Sequence, residues 1–90
     1  MPMKFINIGF GNLVAAERVV ALVSPESAPA KRLVQEAKEA GRVIDCSGGK
    51  KTRAILMTDS EHVILSSLET KTVSARLSGD NENDTSEDAV

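Results

Sequence analysis

Residues 24–41 read SPESAPAKRLVQEAKEAG, and this stretch carries the clearest element of the chain. Ser24-Pro25-Glu26-Ser27 holds helix-start chemistry: hydroxyl caps, a proline suited to a first turn, and an acid where the helix dipole is positive. Pro29 has no N–H to give to a helix interior, so the pattern predicts a helix that begins near Ser27 to Pro29. Ala30, Leu33, Val34, Ala37 and Ala40 then recur at helical spacing, and Gly41 supplies the stop. Lys31, Arg32, Gln35, Glu36, Lys38 and Glu39 fill the opposite, solvated face, where Arg32 and Glu36 are one turn apart and suited to an ion pair.

Downstream of this helix the period changes. Arg42 to Cys46 (RVIDC) reads as a strand with Ser47-Gly48-Gly49-Lys50 as its turn. Thr52 to Thr58 (TRAILMT) and His62 to Ser66 (HVILS) read as two more, joined by Asp59-Ser60-Glu61. Short consecutive strands with tight connections predict antiparallel hairpins. Val73 and Leu77, four apart, mark a short closing helix around Thr70 to Leu77. Upstream, Met3 to Ile8 (MKFINI) is a first strand, punctuated by Gly9, Gly11 and Asn12 as a loop. Arg18 to Val23 (RVVALV) is ambiguous, because its valines favour a strand while Ala15, Ala16 and Glu17 could open a helix. The strand is the preferred reading. The fold class is α+β: a small antiparallel sheet, one main helix and a short C-terminal helix, over a single domain of residues 1–78.

Composition sets limits on function. Ninety residues allow one domain with a small core. Phe5 and Phe10 are the whole aromatic complement, so self-association is an expected route to added stability. With Cys46 as the one cysteine, no intrachain disulfide can form, and a reducing cytoplasmic setting fits. Neither a signal-peptide pattern nor an apolar run long enough to span a bilayer is present, so no membrane partner is expected. The formal net charge of −2 hides an uneven distribution. Asp80, Glu82, Asp84, Glu87 and Asp88 lie together without a base, so residues 79–90 read as a disordered acidic tail. The preceding residues are mildly basic.

Several chemistries lack the motifs they need. Gly9-Phe10-Gly11 follows a strand like the start of a dinucleotide fingerprint, but Val14 stands where the third glycine belongs. Gly48-Gly49-Lys50-Lys51-Thr52 fails the P-loop pattern twice, at Ile44 and at Lys51. His62 is the sole histidine, and no Cys/His cluster has metal spacing, so neither an enzyme nor a metal or cofactor site is expected. His62 reads as a half-exposed residue at a strand start, and Cys46 as a small core residue.

The feature that stands out is a basic turn. Lys50, Lys51 and Arg53 cluster beside two glycines with no acid between Cys46 and Thr58. Three cations on a backbone free to approach a phosphate suit a nucleic-acid contact, and an ordinary solvated turn is the equal alternative. Scarce aromatics disfavour stacking on single strands, which leaves the duplex backbone as the better target.

Lys4 to Asn12 (KFINIGFGN), Arg18, Val23 to Pro29 (VSPESAP), Lys31-Arg32, Ile44-Asp45, Thr52-Arg53-Ala54 and Asp59 to Ser66 (DSEHVILS) together resemble the RemA family, bacterial regulators of extracellular matrix genes. The similarity spans roughly residues 3 to 77. It implies a transcriptional regulator that binds double-stranded DNA upstream of biofilm matrix and osmoprotection genes. It also implies a homo-oligomeric ring with a basic outer surface, nucleoid-associated in the cytoplasm and without a cofactor. Arg18 matches a family arginine associated with function, and Lys50-Lys51 falls where the family carries a basic, often Arg-Arg, pair. Pro29 matches a family proline important to activity, although its chemistry points to a structural role at the helix start. Lysine keeps the charge of arginine but loses its bidentate fork, so contacts here should be phosphate-like and less base-specific. The DNA-binding residues expected are therefore Arg18, Lys50, Lys51 and Arg53. A protein-interaction or scaffolding module is the main alternative, and a ligand-sensing domain using the Gly9–Asn12 loop is a third.

Overall fold

Ser27 and Gly41 bracket the main helix as their chemistry requires. In the computed structural model, which describes residues 4–79, Ser27 Oγ accepts the Ala30 N–H at 3.2 Å, and Gly41 closes the helix in the left-handed region at φ 73°. The helix, α1, spans Ala28–Ala40, with Pro29 in its first turn. Its polar face carries a Gln35 to Glu39 hydrogen bond of 3.2 Å, and the expected Arg32–Glu36 ion pair is not formed. The two side chains are exposed there, where such a pair contributes only about 0.3–0.5 kcal/mol.

Six strands and a second helix surround α1. They are β1 (Phe5–Asn7), β2 (Leu13–Ala15), β3 (Val19–Val23), β4 (Val43–Cys46), β5 (Ala54–Thr58), β6 (Val63–Ser66) and α2 (Thr70–Ser78). A single 3₁₀ turn, Ala16–Arg18, joins β2 to β3, which resolves the ambiguity at Ala15–Val23: a brief helical turn first, then the strand. β1 and β2 form a separate two-stranded hairpin, and the other four make a sheet ordered β3-β5-β6-β4. Of the expected acidic tail, residues 79–90, Gly79 is the left-handed C-cap of α2 and residues 80–90 lie outside the described residues.

One expectation is overturned. The sheet is not wholly antiparallel: β4 runs parallel to β6, with Val43 opposite Val63 and Cys46 opposite Ser66. The glycine turn after β4 is therefore not a hairpin. Seven residues separate Cys46 from Ala54, enough chain to cross β6 and enter β5 at two strand spacings, about 10 Å away. The parallel pair arises because β3 and β4 lie at opposite edges and are joined through α1, a crossover rather than a hairpin.

The sheet is covered on both faces. Ala30 and Ala37 of α1 pack on Ile55 and Val63. On the other face Val73 of α2 and Ile6, Ile8 and Val14 of the hairpin pack with Ala54, Leu56 and Ile64. Central strand β5 alternates between these two cores, and Ala54, Ile55 and Leu56 are all at most 2% exposed. Each large aliphatic side chain so buried contributes roughly 1.5–3 kcal/mol.

Polar ties fix the layers to one another. Ser66 Oγ donates to the Ile8 carbonyl at 2.8 Å and accepts the Leu68 N–H at 3.0 Å, and Arg76 reaches from α2 to the Asn7 carbonyl at 2.7 Å. Cys46 is half-buried against the hairpin-side core, where burial, and secondarily the Asp45 charge, push its thiol pKa up. The thiolate is the reactive form, so Cys46 is held in its inert state.

Candidate nucleic-acid interface

The sheet topology brings several chain segments to one end. β3, β4 and β6 run in one direction and β5 against them, with Val23 opposite Ile55 and Ala54 opposite Ser66. The last residues of β3, β4 and β6 therefore lie beside the first residue of β5. The helices α1 and α2 begin just after β3 and β6, so both of their N-termini fall at this end, together with the basic turn.

The turn is locked from its own sequence. Asp45 Oδ1 accepts both the Ser47 N–H, at 2.9 Å, and the Ser47 hydroxyl, at 2.6 Å, and these bonds hold the Asp45 carboxyl below its ordinary pKa, with Lys38 assisting. Lys50 N–H closes the turn on the Ser47 carbonyl at 3.1 Å. Gly48, at φ 66°, is required twice over: its backbone favours glycine, and a Cβ there would sit 2.6 Å from the Phe10 ring. Phe10 thus docks the tip of the β1–β2 hairpin against the basic turn. Lys50 Nζ sits 5.8 Å from the same ring, the range of a cation–π contact.

Between the hairpin tip and the start of β5, Lys50, Lys51 and Arg53 border a cleft of about 440 Å³ with Phe10 and Leu68. Lys51 and Arg53 also face a second cleft, of about 570 Å³, whose far walls carry Lys31 from α1 and Lys71 from α2. Arg53 is anchored by its N–H to the Ser66 carbonyl at 2.8 Å, and its guanidinium lies 3.8 Å from Glu69. Lys31, Lys50, Lys51 and Lys71 form no ion pair among the described residues. A basic ridge, Lys51 and Arg53, thus separates two recesses.

Three of the four residues singled out from the sequence stand together at this end, and Arg18 does not. It lies beside Asp59, with its carbonyl accepting the Asp59 N–H at 2.9 Å and its Nε 2.8 Å from both carboxylate oxygens. The length of β5 separates it from Arg53, roughly 20 Å at strand rise.

Lys31 and Lys71 are the residues that sequence reasoning missed. A signal was available. Neither helix has an acid in its first turn, and each has a lysine close to its start, where the dipole disfavours a cation by about 0.3–1 kcal/mol. The Gly9–Asn12 loop is closed on itself by the Asn12 N–H and side-chain amide, both 3.0 Å from the Gly9 carbonyl. No group of three or more His, Cys, Asp or Glu among the described residues is placed to share a metal ion, and no helix there is long and apolar enough to cross a membrane.

Fold and site together define a small three-layer α+β domain with a basic end. The chain belongs to the RemA-like family, whose model, described as "Extracellular matrix regulatory protein A-like", matches residues 5–77. Similar proteins include one from Halothermothrix orenii, 59% identical over 92% of this chain and 99% of its own length. One from Geobacillus thermodenitrificans is 56% identical over 88% of this chain and 91% of its own. Another, from Desulfitobacterium hafniense, is 53% identical over 98% and 97%. The first two carry the name "Putative regulatory protein", and the third carries the same words with a locus designation.

Proposed function

We propose that this chain is a non-catalytic, DNA-binding transcriptional regulator that grips duplex DNA as a homo-oligomer. Lys50, Lys51 and Arg53 contact backbone phosphates. The observation that carries this reading is the convergence at one sheet end of Arg53 with Lys50 and Lys51, which form no ion pair among the described residues, on a turn held by Asp45, Gly48 and Phe10. Membership of the RemA-like family and the regulatory names of its relatives support the regulatory part. Control of biofilm matrix and osmoprotection genes, in the cytoplasm at the nucleoid, is the specific role the family implies.

The partner is the duplex backbone rather than a single strand. Phe10 is the one aromatic ring at this end, and a single ring, packed against Gly48 with Lys50 Nζ 5.8 Å from its centroid, cannot stack successive bases. Self-association is supported by apolar side chains left in solvent. Phe5 and Leu13 on the hairpin, Val20 on edge strand β3 and Ile44 on edge strand β4 are each 44–62% exposed. Closing copies into a ring would cover such patches and both open sheet edges. It would also repeat the basic turn, so that many weak contacts act together without a recognition helix or a cofactor. Arg18 enters as a separate contact whose charge Asp59 offsets within one chain.

The same exposed apolar residues favour the alternative, a protein-interaction module in which the basic turn is incidental. Fluorescence anisotropy with a labelled duplex, beside light scattering for size, separates the two. The expected result is binding by an oligomer and its loss in Lys50→Ala/Lys51→Ala at unchanged size. Unchanged binding in that variant removes the phosphate-contact role, and no binding by the natural chain leaves the interaction module.

A further inference from the structure

The larger cleft gathers more cations than the turn, four against three. Lys31, Lys51, Arg53 and Lys71 face it from three chain segments, against two acids, Glu26 and Glu69. Glu69 lies 3.8 Å from Arg53, so its charge is already matched. An excess of cations on concave walls focuses the field and concentrates anions. At about 570 Å³ the recess has the size of a small-ligand site, roughly 300–1,000 Å³. A duplex is convex and meets the protruding turn and ridge. Lys31 and Lys71, on the far walls of the recess, are placed for something smaller.

The walls also supply neutral donors. Ser24, Thr52 and Thr70 bring hydroxyls to the recess. At the start of α2 the N-cap Glu69 makes no side-chain cap, and the N–H groups of Thr70, Lys71 and Thr72 meet no acceptor among the described residues. The start of α1 differs, since Ser27 caps it and Pro29 has no N–H. Two lysines near helix starts are mutually unfavourable with the dipoles, and an anion between them relieves both conflicts. No aromatic ring lines the recess, so a nucleobase has nothing to stack on and the phosphates are the part recognised.

We propose that this cleft binds a small ligand carrying a diphosphate group, and that the bound ligand competes with DNA for Lys51 and Arg53. The ligand site stands on the cleft alone, whereas the competition rests on the DNA-binding reading above. The test is calorimetric titration of the full chain with inorganic pyrophosphate and, separately, with ADP, at about 0.15 M salt to suppress diffuse attraction. Saturable binding is expected, weakened at least tenfold in Lys71→Ala and several-fold in Lys31→Ala. Lys38→Ala, on the same helix but outside the cleft, should bind as the natural chain does. Tighter binding of ADP identifies a nucleotide, and equal or tighter binding of pyrophosphate identifies the bare diphosphate. Heat that never saturates, or equal weakening by Lys38→Ala, overturns the site. Anisotropy with a labelled duplex in the same buffers separates the two readings. Pyrophosphate binding without duplex binding ends the competition and leaves the site, while duplex binding that saturating pyrophosphate does not weaken also ends the competition.

Discussion

The two ends of strand β5 carry the same kinds of charge and arrange them oppositely. Where β5 leaves the sheet, Arg18 pairs with Asp59 and Arg42 with Glu61, while Ser60 hydrogen-bonds the His62 ring at 2.8 Å. Both of these arginines have a carboxylate beside them. Where β5 enters, Lys50, Lys51, Lys31 and Lys71 have none among the described residues, and Arg53 has one at 3.8 Å. Paired exposed charges contribute little to stability and present little net field, whereas unpaired ones contribute nothing to folding and project a field outward. One end thus holds its arginines in ion pairs. The other leaves four lysines without an ion pair among the described residues.

The largest effect should follow from removing charge at the entry end. Lys51→Glu reverses one cation on the ridge shared by both clefts, and duplex affinity measured by anisotropy should fall more than tenfold at low salt with oligomer size unchanged. At the exit end Arg18→Ala should lower affinity by a smaller factor, because Asp59 already offsets that charge. Equal losses at both ends would erase the distinction drawn between them.

A steric change should come next. Gly48→Ala places a Cβ against Phe10 and holds a non-glycine residue at φ 66°. Strain of this kind costs of order 1–3 kcal/mol, read as a lowered Tm. Phe10→Ala in the same chain should recover part of that loss by removing the clash, leaving only the backbone component.

Breaking the paired end should do less. Asp59→Ala or Glu61→Ala each removes one partner of an exposed pair, and thermal melts should show about 0.2–1 kcal/mol. A loss above this range would mean that the exit end is a packed structural element.

The smallest effect concerns acid. The Asp45 carboxyl is held below its ordinary pKa chiefly by Ser47, so it favours folding when ionised. That contribution is present above the unfolded carboxylate value, near 3.9, and is lost as pH falls through the lowered folded value. Asp45→Asn should therefore flatten the acid limb of a stability–pH curve, its deficit against the natural chain being fullest near neutral pH and vanishing in acid. A deficit that grows as pH falls instead would have the wrong sign.

What the sequence disclosed was local. The cap at Ser27, the apolar stripe of α1 and the stop at Gly41 are all written within a few turns, and each stands where it was expected. β3, β5 and β6 follow from short apolar runs, and the basic turn is contiguous in sequence. Pairings between distant segments were hidden. Ser47-Gly48-Gly49 has hairpin composition, yet the chain crosses β6 there, because the parallel partner of β4 is chosen by α1 on the other side of the sheet. β2 escaped notice as three residues between two loops. Gly48 signalled a turn but not the Phe10 ring laid on it, which comes from a loop almost forty residues earlier. Lys31 and Lys71 look like solvated helix charges until the strand order places both helix starts at the entry to β5.

The most direct test of the central claim is a salt titration of duplex binding for the natural chain and for Lys50→Ala/Lys51→Ala, with size checked by light scattering. For the natural chain log K should fall linearly with log salt. The variant's slope should be shallower by about 0.9 for each phosphate contact removed. An unchanged slope in a folded variant of the same size, or affinity that ignores salt altogether, would contradict that claim.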